Sequence, residues 1–446
     1  MDAPGSGRGR VAFVGNWRGH WPYDACMTNV TASTKQLGDL RLDEYLLTLP
    51  LVWGEDVDDR TIDVFARVIT RPGGDELPYL VFLQGGPGCE APRPSFAPRN
   101  PSWLDAALAD YRVVMLDQRG TGLSTPVSDH DLARGDDELA EYLTHLRADS
   151  IVRDCEAVRE HLGVAQWSVL GQSFGGFTTL HYLSRYADSL REVYFTGGLS
   201  AVGRHCDDVY RTCYDQMRTI SERYYRRFPE DREVIRGLVD AARNGEIVLP
   251  DGEVVSASRL RSIGHLLGGQ DGWQRVHELC ELDHRSNAFR YDLAQMLPFG
   301  GRNPLYYVIH ESSYSDGCVT NWSAERTMPQ DFVDDVTLLT GEHVRREWCD
   351  TVPAFKPWKG VAERMAQVEW PTLYDADAIR ASGVRGAAAV YANDAYVPLS
   401  YSLETAELLP NVDLYVTSEY EHGGLRASGG KVLQKLIDLV HDRTVR

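Results

Sequence analysis

The chain has 446 residues, 43% hydrophobic and 25% charged, the balance of a globular protein with room for one large core and a substantial insertion. Aromatic residues at 10% exclude intrinsic disorder, and no apolar stretch approaches the length of a bilayer span. With 46 basic against 65 acidic residues the net charge is −19, a surface that repels phosphate backbones and anionic lipids and argues against nucleic acid or a membrane as partner.

Residues 1–35 are Gly-rich and then mixed, without a period, and read as an extension of uncertain order. Strands are predicted over 45–53 and 61–69, the second alternating cleanly, and over the continuous apolar runs 79–83 and 112–116, which suit buried central strands. A helix over 150–162, a strand over 167–170, a helix over 177–186 and a strand over 192–195 follow. That alternation implies a mostly parallel sheet with helices on both faces. From 200 to 370 the pattern turns helical, clearest over 210–228 and 263–296. Strands return at 387–391 and 413–417, and a helix over 431–441 closes the chain. The organisation is therefore one α/β domain, 36–199 and 371–446, interrupted by a helical cap over 200–370.

The eight cysteines are scattered without a compact spacing, as free thiols in a reducing compartment would be. The first twenty residues lack the apolar core of a signal peptide, so a cytoplasmic location is expected. His277, Cys280 and His284 share a helical spacing, but without a fourth ligand they read as one face of an amphipathic helix, and no metal is expected.

The strongest local signal is Gly171-Gln172-Ser173-Phe174-Gly175, a G-x-S-x-G sequence directly after a predicted strand and before a predicted helix. Glycines stand two residues to either side of the serine, at 171 and 175, because the turn is too tight for a Cβ there. A nucleophilic serine needs a base, and the base an orienting acid. In α/β-hydrolases these follow in the chain order Ser, Asp or Glu, His. The strand over 387–391 leads to Asp394, and the next leads to His422 at a Gly-rich turn; Glu419 and Glu421 lie near enough to compete with Asp394. Between two apolar strands, Gln84-Gly85-Gly86-Pro87-Gly88 offers backbone N–H groups that, with the N–H of Phe174, suit an oxyanion hole. A phosphate cradle is the rival reading of this loop, but it lacks the Lys-Ser/Thr of a P-loop.

Together with Asp117-Gln118-Arg119-Gly120-Thr121-Gly122 and Glu421-His422-Gly423-Gly424, these motifs resemble the proline iminopeptidase family of serine peptidases, over most of the chain from about Leu83 to Arg426. Ala91-Pro92-Arg93-Pro94 after the first motif is similar to the family's larger members, and Gln84 stands where shorter members usually carry His. The resemblance implies an α/β-hydrolase fold with an eight-stranded sheet and an inserted cap. It implies release of N-terminal proline from small peptides by Ser173, Asp394 and His422, with an oxyanion hole at Gly86 and Phe174 and no cofactor. It also implies cap carboxylates for the substrate amine, which fall on Glu311 and Glu342. An exopeptidase measures one residue from a free amine, and charge-assisted hydrogen bonds are about twice as strong as neutral ones. His343-Val344-Arg345-Arg346 departs from the family's apolar pattern, which bears on the prolyl pocket. Asp117, Arg119 and Gly120 read as a salt-bridged structural turn. The alternatives are a broader aminopeptidase, a tripeptidyl peptidase or a small-acyl esterase on the same machinery, or a catalytically silent binding protein of the same fold.

Overall fold

A computed structural model describes residues 29–54 and 58–444. Nine strands form one sheet: β1 (Val30–Leu37), β2 (Leu40–Pro50), β3 (Thr61–Thr70), β4 (Tyr79–Leu83), β5 (Arg112–Leu116), β6 (Trp167–Gln172), β7 (Leu190–Thr196), β8 (Arg385–Tyr391) and β9 (Val412–Thr417). Their spatial order is β1-β2-β3-β5-β4-β6-β7-β8-β9. β1, β2 and β3 run antiparallel to their neighbours, and β3 meets β5 antiparallel. Every pairing from β5 through β9 is parallel. β4 and β5 are buried almost throughout, as continuous apolar runs require.

Nine strands replace the expected eight. The additional one, β1, falls largely within the stretch read as an extension, because its residues VTASTKQL are mostly exposed and carry no apolar period. It pairs only with β2, across a turn at Gly38 (φ 63°). That turn moves β2 to Leu40–Pro50, upstream of the predicted 45–53. The first 28 residues, including Cys26, lie outside the described part.

Helices α1 (Ala148–His161) and α2 (Phe174–Tyr186) cover one face of the sheet. There Ile151, Val158, Phe177 and Leu180 pack with Val81, Val114 and Val169 in one buried cluster. On the other face, Leu433, Leu436 and Ile437 of the closing helix meet Leu80, Phe82, Val113 and Leu170. Between β7 and β8 every named element is helical, beginning with α3 (Cys206–Arg227), and one isolated bridge joins Val248 to Val254. The stretch predicted as helical over 263–296 is broken into a 3₁₀ segment, Ser262–Gly268, then α4 (Gly272–Cys280) and a helix at Asn287–Met296. The side chain of Ser286 accepts from the Phe289 amide at 3.1 Å and restarts the chain as a capped helix. His284 therefore lies beyond α4 and does not share it with His277 and Cys280. His277 instead stacks on Phe228 and bonds Asp231 at 3.0 Å. No helix of the described residues is long and apolar enough to cross a membrane.

Candidate active site

β6 ends at Gln172 and α2 begins at Phe174, so Ser173 alone makes the turn, at φ 53° and ψ −124°. A non-glycine residue rarely adopts such a backbone, and it persists only where its surroundings over-determine it. Here α2 is pressed onto the sheet so closely that a Cβ on Gly175 would strike the Leu83 carbonyl of β4. A Cβ on Gly171 would lie 2.5 Å from the Gly175 carbonyl oxygen. The amide of Ser173 is tied to β7 by donating to the Thr196 carbonyl at 3.1 Å.

β8 delivers Asp394 and β9 delivers His422 to the same edge of the sheet. Asp394 is buried, and its Oδ1 accepts from the amides of Tyr396 and Val397, each at 2.9 Å. Its Oδ2 lies 2.7 Å from His422 Nδ1. Asp394 is thus the carboxylate that meets the imidazole; Glu419 is exposed, and burial together with the Asp394 charge pushes Glu421 up to about 7. Burial opposes a charge on His422, but the charge and hydrogen bond of Asp394, with the charge of Glu342, prevail and raise it above the ordinary histidine value. The Thr196–Gly198 turn joins this pair to the serine. A Cβ on Gly197 would sit 3.0 Å from His422 Nδ1, and one on Gly198 would sit 2.9 Å from the Ser173 carbonyl oxygen.

The glycine loop after β4 closes the other side. A Cβ on Gly85 would lie 2.9 Å from Ser173 Cβ, so the Gly85-Gly86 backbone runs directly beside the serine. The Phe174 N–H opens α2, where helix geometry leaves amides without intrahelical partners. Gln84 contributes its carbonyl, which accepts from Gln118 Nε2 at 2.8 Å. Asp117 and Arg119 are structural, but they do not pair with each other. Asp117 accepts from the Leu123 amide and Arg93, while buried Arg119 grips Asp154 with two nitrogens, at 2.6 and 2.7 Å.

The cap contributes a wall of aromatic and titratable side chains. Glu342 accepts from the hydroxyl of Tyr306, and from that of Tyr314 at 3.3 Å. His265 Nε2 and His310 Nε2 approach it to 3.8 and 4.0 Å. Burial opposes its charge, but His265, His310 and the Tyr306 hydroxyl hold it below the usual carboxylate range. Tyr314 packs on Phe177 of α2, which packs on Phe174, so an unbroken run of rings leads from Glu342 to the residue after the serine. Glu311 is placed differently. Its two oxygens accept from the amides of Ser323 and Ala324, at 3.1 and 2.9 Å, and burial raises it to about 7. His343 and Arg345 turn into the cap interior around the Tyr214 ring.

Four neighbours of Glu342 are not among the site residues expected from the sequence: His265 and Tyr306, which lie in no motif, and His310 and Tyr314, which flank Glu311 in the stretch His310–Tyr314 that resembles the family's. His310 is 1% exposed, and neither ring nitrogen has a hydrogen-bond partner among the described residues. Burial lowers its pKa against the opposing charge of Glu342, which its ring faces. A buried polar group left unpaired in this way suits a site completed by a ligand. The arrangement supplies a serine, an imidazole held by a carboxylate, backbone donors beside the serine, and an ionised carboxylate for a cation.

The family model described as alpha/beta hydrolase fold matches residues 78–257. A proline iminopeptidase of Aeromonas sobria is 38% identical over 91% of this chain and 98% of its own length. A proline iminopeptidase of Aspergillus aculeatus is 29% identical over 91% of this chain and 95% of its own. A probable proline iminopeptidase of Streptomyces coelicolor is 31% identical over 38% of this chain and 48% of its own.

Proposed function

The chain belongs to the proline iminopeptidase family, and from that premise we propose that it is a serine exopeptidase that releases N-terminal proline from small peptides. Ser173 Oγ attacks the prolyl carbonyl while His422 Nε2 takes its proton, Asp394 holding the other ring nitrogen. The N–H groups of Gly86 and Phe174 stabilise the oxyanion. His422 then protonates the departing peptide amine, and water releases proline from the acyl-enzyme by the same steps in reverse. This scheme calls on no metal or organic cofactor. The helical stretch 200–370 serves as the cap that closes over the amine, and the seven free thiols of the described residues fit a reducing, cytoplasmic setting.

The observation that carries the reading is the Glu342 carboxylate, half-buried in the cap and ringed by Tyr306, Tyr314, His265 and His310. A prolyl ammonium has two N–H donors, and the Glu342 carboxylate offers two acceptor oxygens. Of the two cap carboxylates, Glu342 is the direct partner. Glu311, expected beside it, enters the proposal as the group that pins the 320–324 turn behind that wall. The test is hydrolysis of proline p-nitroanilide against its N-acetyl form. The free amine is expected to be favoured by about 10- to 100-fold in kcat/KM, the worth of one charge-assisted contact. Equal rates would identify an esterase or amidase that ignores the amine.

A further inference from the structure

A cavity of about 250 Å³ opens beside His422. Its core side is Gln172, Tyr396, His422 and the segment Gly423–Arg426; its cap side is the 3₁₀ segment and the start of α4, including Arg275. Leu266 and Leu425 supply apolar walls. The volume exceeds what a five-membered ring fills, and Glu342 is not among its walls. It adjoins the imidazole that protonates the leaving amine, so it lies where the peptide beyond the scissile bond must go.

Two arginines line this space, Arg275 from the cap and Arg426 from the core. Most arginines of the described residues are engaged by carboxylates or carbonyls, Arg119 and Arg259 being buried examples. Among the described residues, no side-chain hydrogen bond or ion pair engages Arg275 or Arg426. The one acidic wall residue, Asp271, is exposed, one helical turn before Arg275. The charge of Arg426 is felt both by His422 and by Cys89, which follows the oxyanion loop. Two unpaired cations beside a catalytic histidine, in a chain of net charge −19, call for an anion from the substrate.

We propose that Arg275 and Arg426 bind the C-terminal carboxylate of the leaving peptide, making this enzyme selective for di- and tripeptides with a free carboxylate. The inference rests on the peptidase reading above. One or two residues beyond proline span roughly 3.3–3.6 Å each when extended, which brings the carboxylate into a cavity of this size. Guanidinium groups suit the role because their donors match a carboxylate in pairs.

The test compares kcat/KM for prolyl-glycyl-glycine with that for its C-terminal amide. The wild-type protein is expected to favour the acid by about tenfold, mainly through KM, as for one charge-assisted contact. In Arg275→Gln/Arg426→Gln the ratio should fall to about one. Each ratio is taken within one preparation, so a partly folded variant does not distort it. A wild-type ratio of one, or a ratio unchanged in the double variant, overturns the carboxylate subsite. Proline p-nitroanilide has no such carboxylate: its turnover alongside a ratio of one condemns the subsite alone, whereas no turnover of it condemns the peptidase reading itself.

Discussion

The shelf that holds Ser173 and the cap wall that holds Glu342 are built by opposite means. The shelf is backbone: a one-residue turn, glycines that let α2 rest against β4, and amides aimed past the serine. The wall is side chains: two tyrosine hydroxyls and two imidazoles gathered round one carboxylate by helices and turns distant in sequence. A backbone site tolerates almost no substitution, because an added Cβ meets a carbonyl that cannot move. A side-chain site tolerates rearrangement, and so carries the differences in what an enzyme of this architecture accepts. On the proposed mechanism, chemistry is set on the shelf and selectivity in the wall.

The contrast sharpens when each side is disturbed by an isosteric change. Asp394→Asn keeps the two amide bonds to Oδ1 but removes the charge from His422. It is expected to lower kcat by about 10⁴-fold for every substrate alike, measured with proline p-nitroanilide and an acyl ester in parallel. Glu342→Gln should lower kcat/KM for the free amine by about 10- to 100-fold while sparing the N-acetyl compound. The same variant has a pH signature. His422 must be neutral to act as base, so activity falls as pH drops through its pKa. Glu342 raises that pKa, so its removal should move the acid limb of kcat/KM to lower pH. An acid limb that stays in place would separate Glu342 from the catalytic histidine.

The two regions also differ in how far the sequence discloses them. Ser173, Asp394 and His422 each follow a strand of the parallel sheet, so strand order and turn chemistry locate them without knowledge of any contact. Strand order favours Asp394, and the structure adds the contact that sets aside Glu419 and Glu421, which stand as near the histidine in sequence. Glu342 and Glu311 emerge only by resemblance, and the sequence does not say that one faces its tyrosines and the other two backbone amides. His265 carries no signal, and His310 only stands beside Glu311 in a family-like stretch, since their meaning lies in convergence from separate 3₁₀ segments, Ser262–Gly268 and His310–Tyr314. β1 is hidden for a different reason. An edge strand exposed along most of its length buries nothing that would leave a period.

The central claim, that Ser173 is an activated nucleophile on a strained turn, is tested most directly by covalent labelling. A fluorophosphonate probe followed by peptide mass spectrometry should place a single adduct on Ser173, lost in Ser173→Ala and much slowed in His422→Ala. An adduct on another serine, or labelling of Ser173 that proceeds equally well without the imidazole, would contradict it.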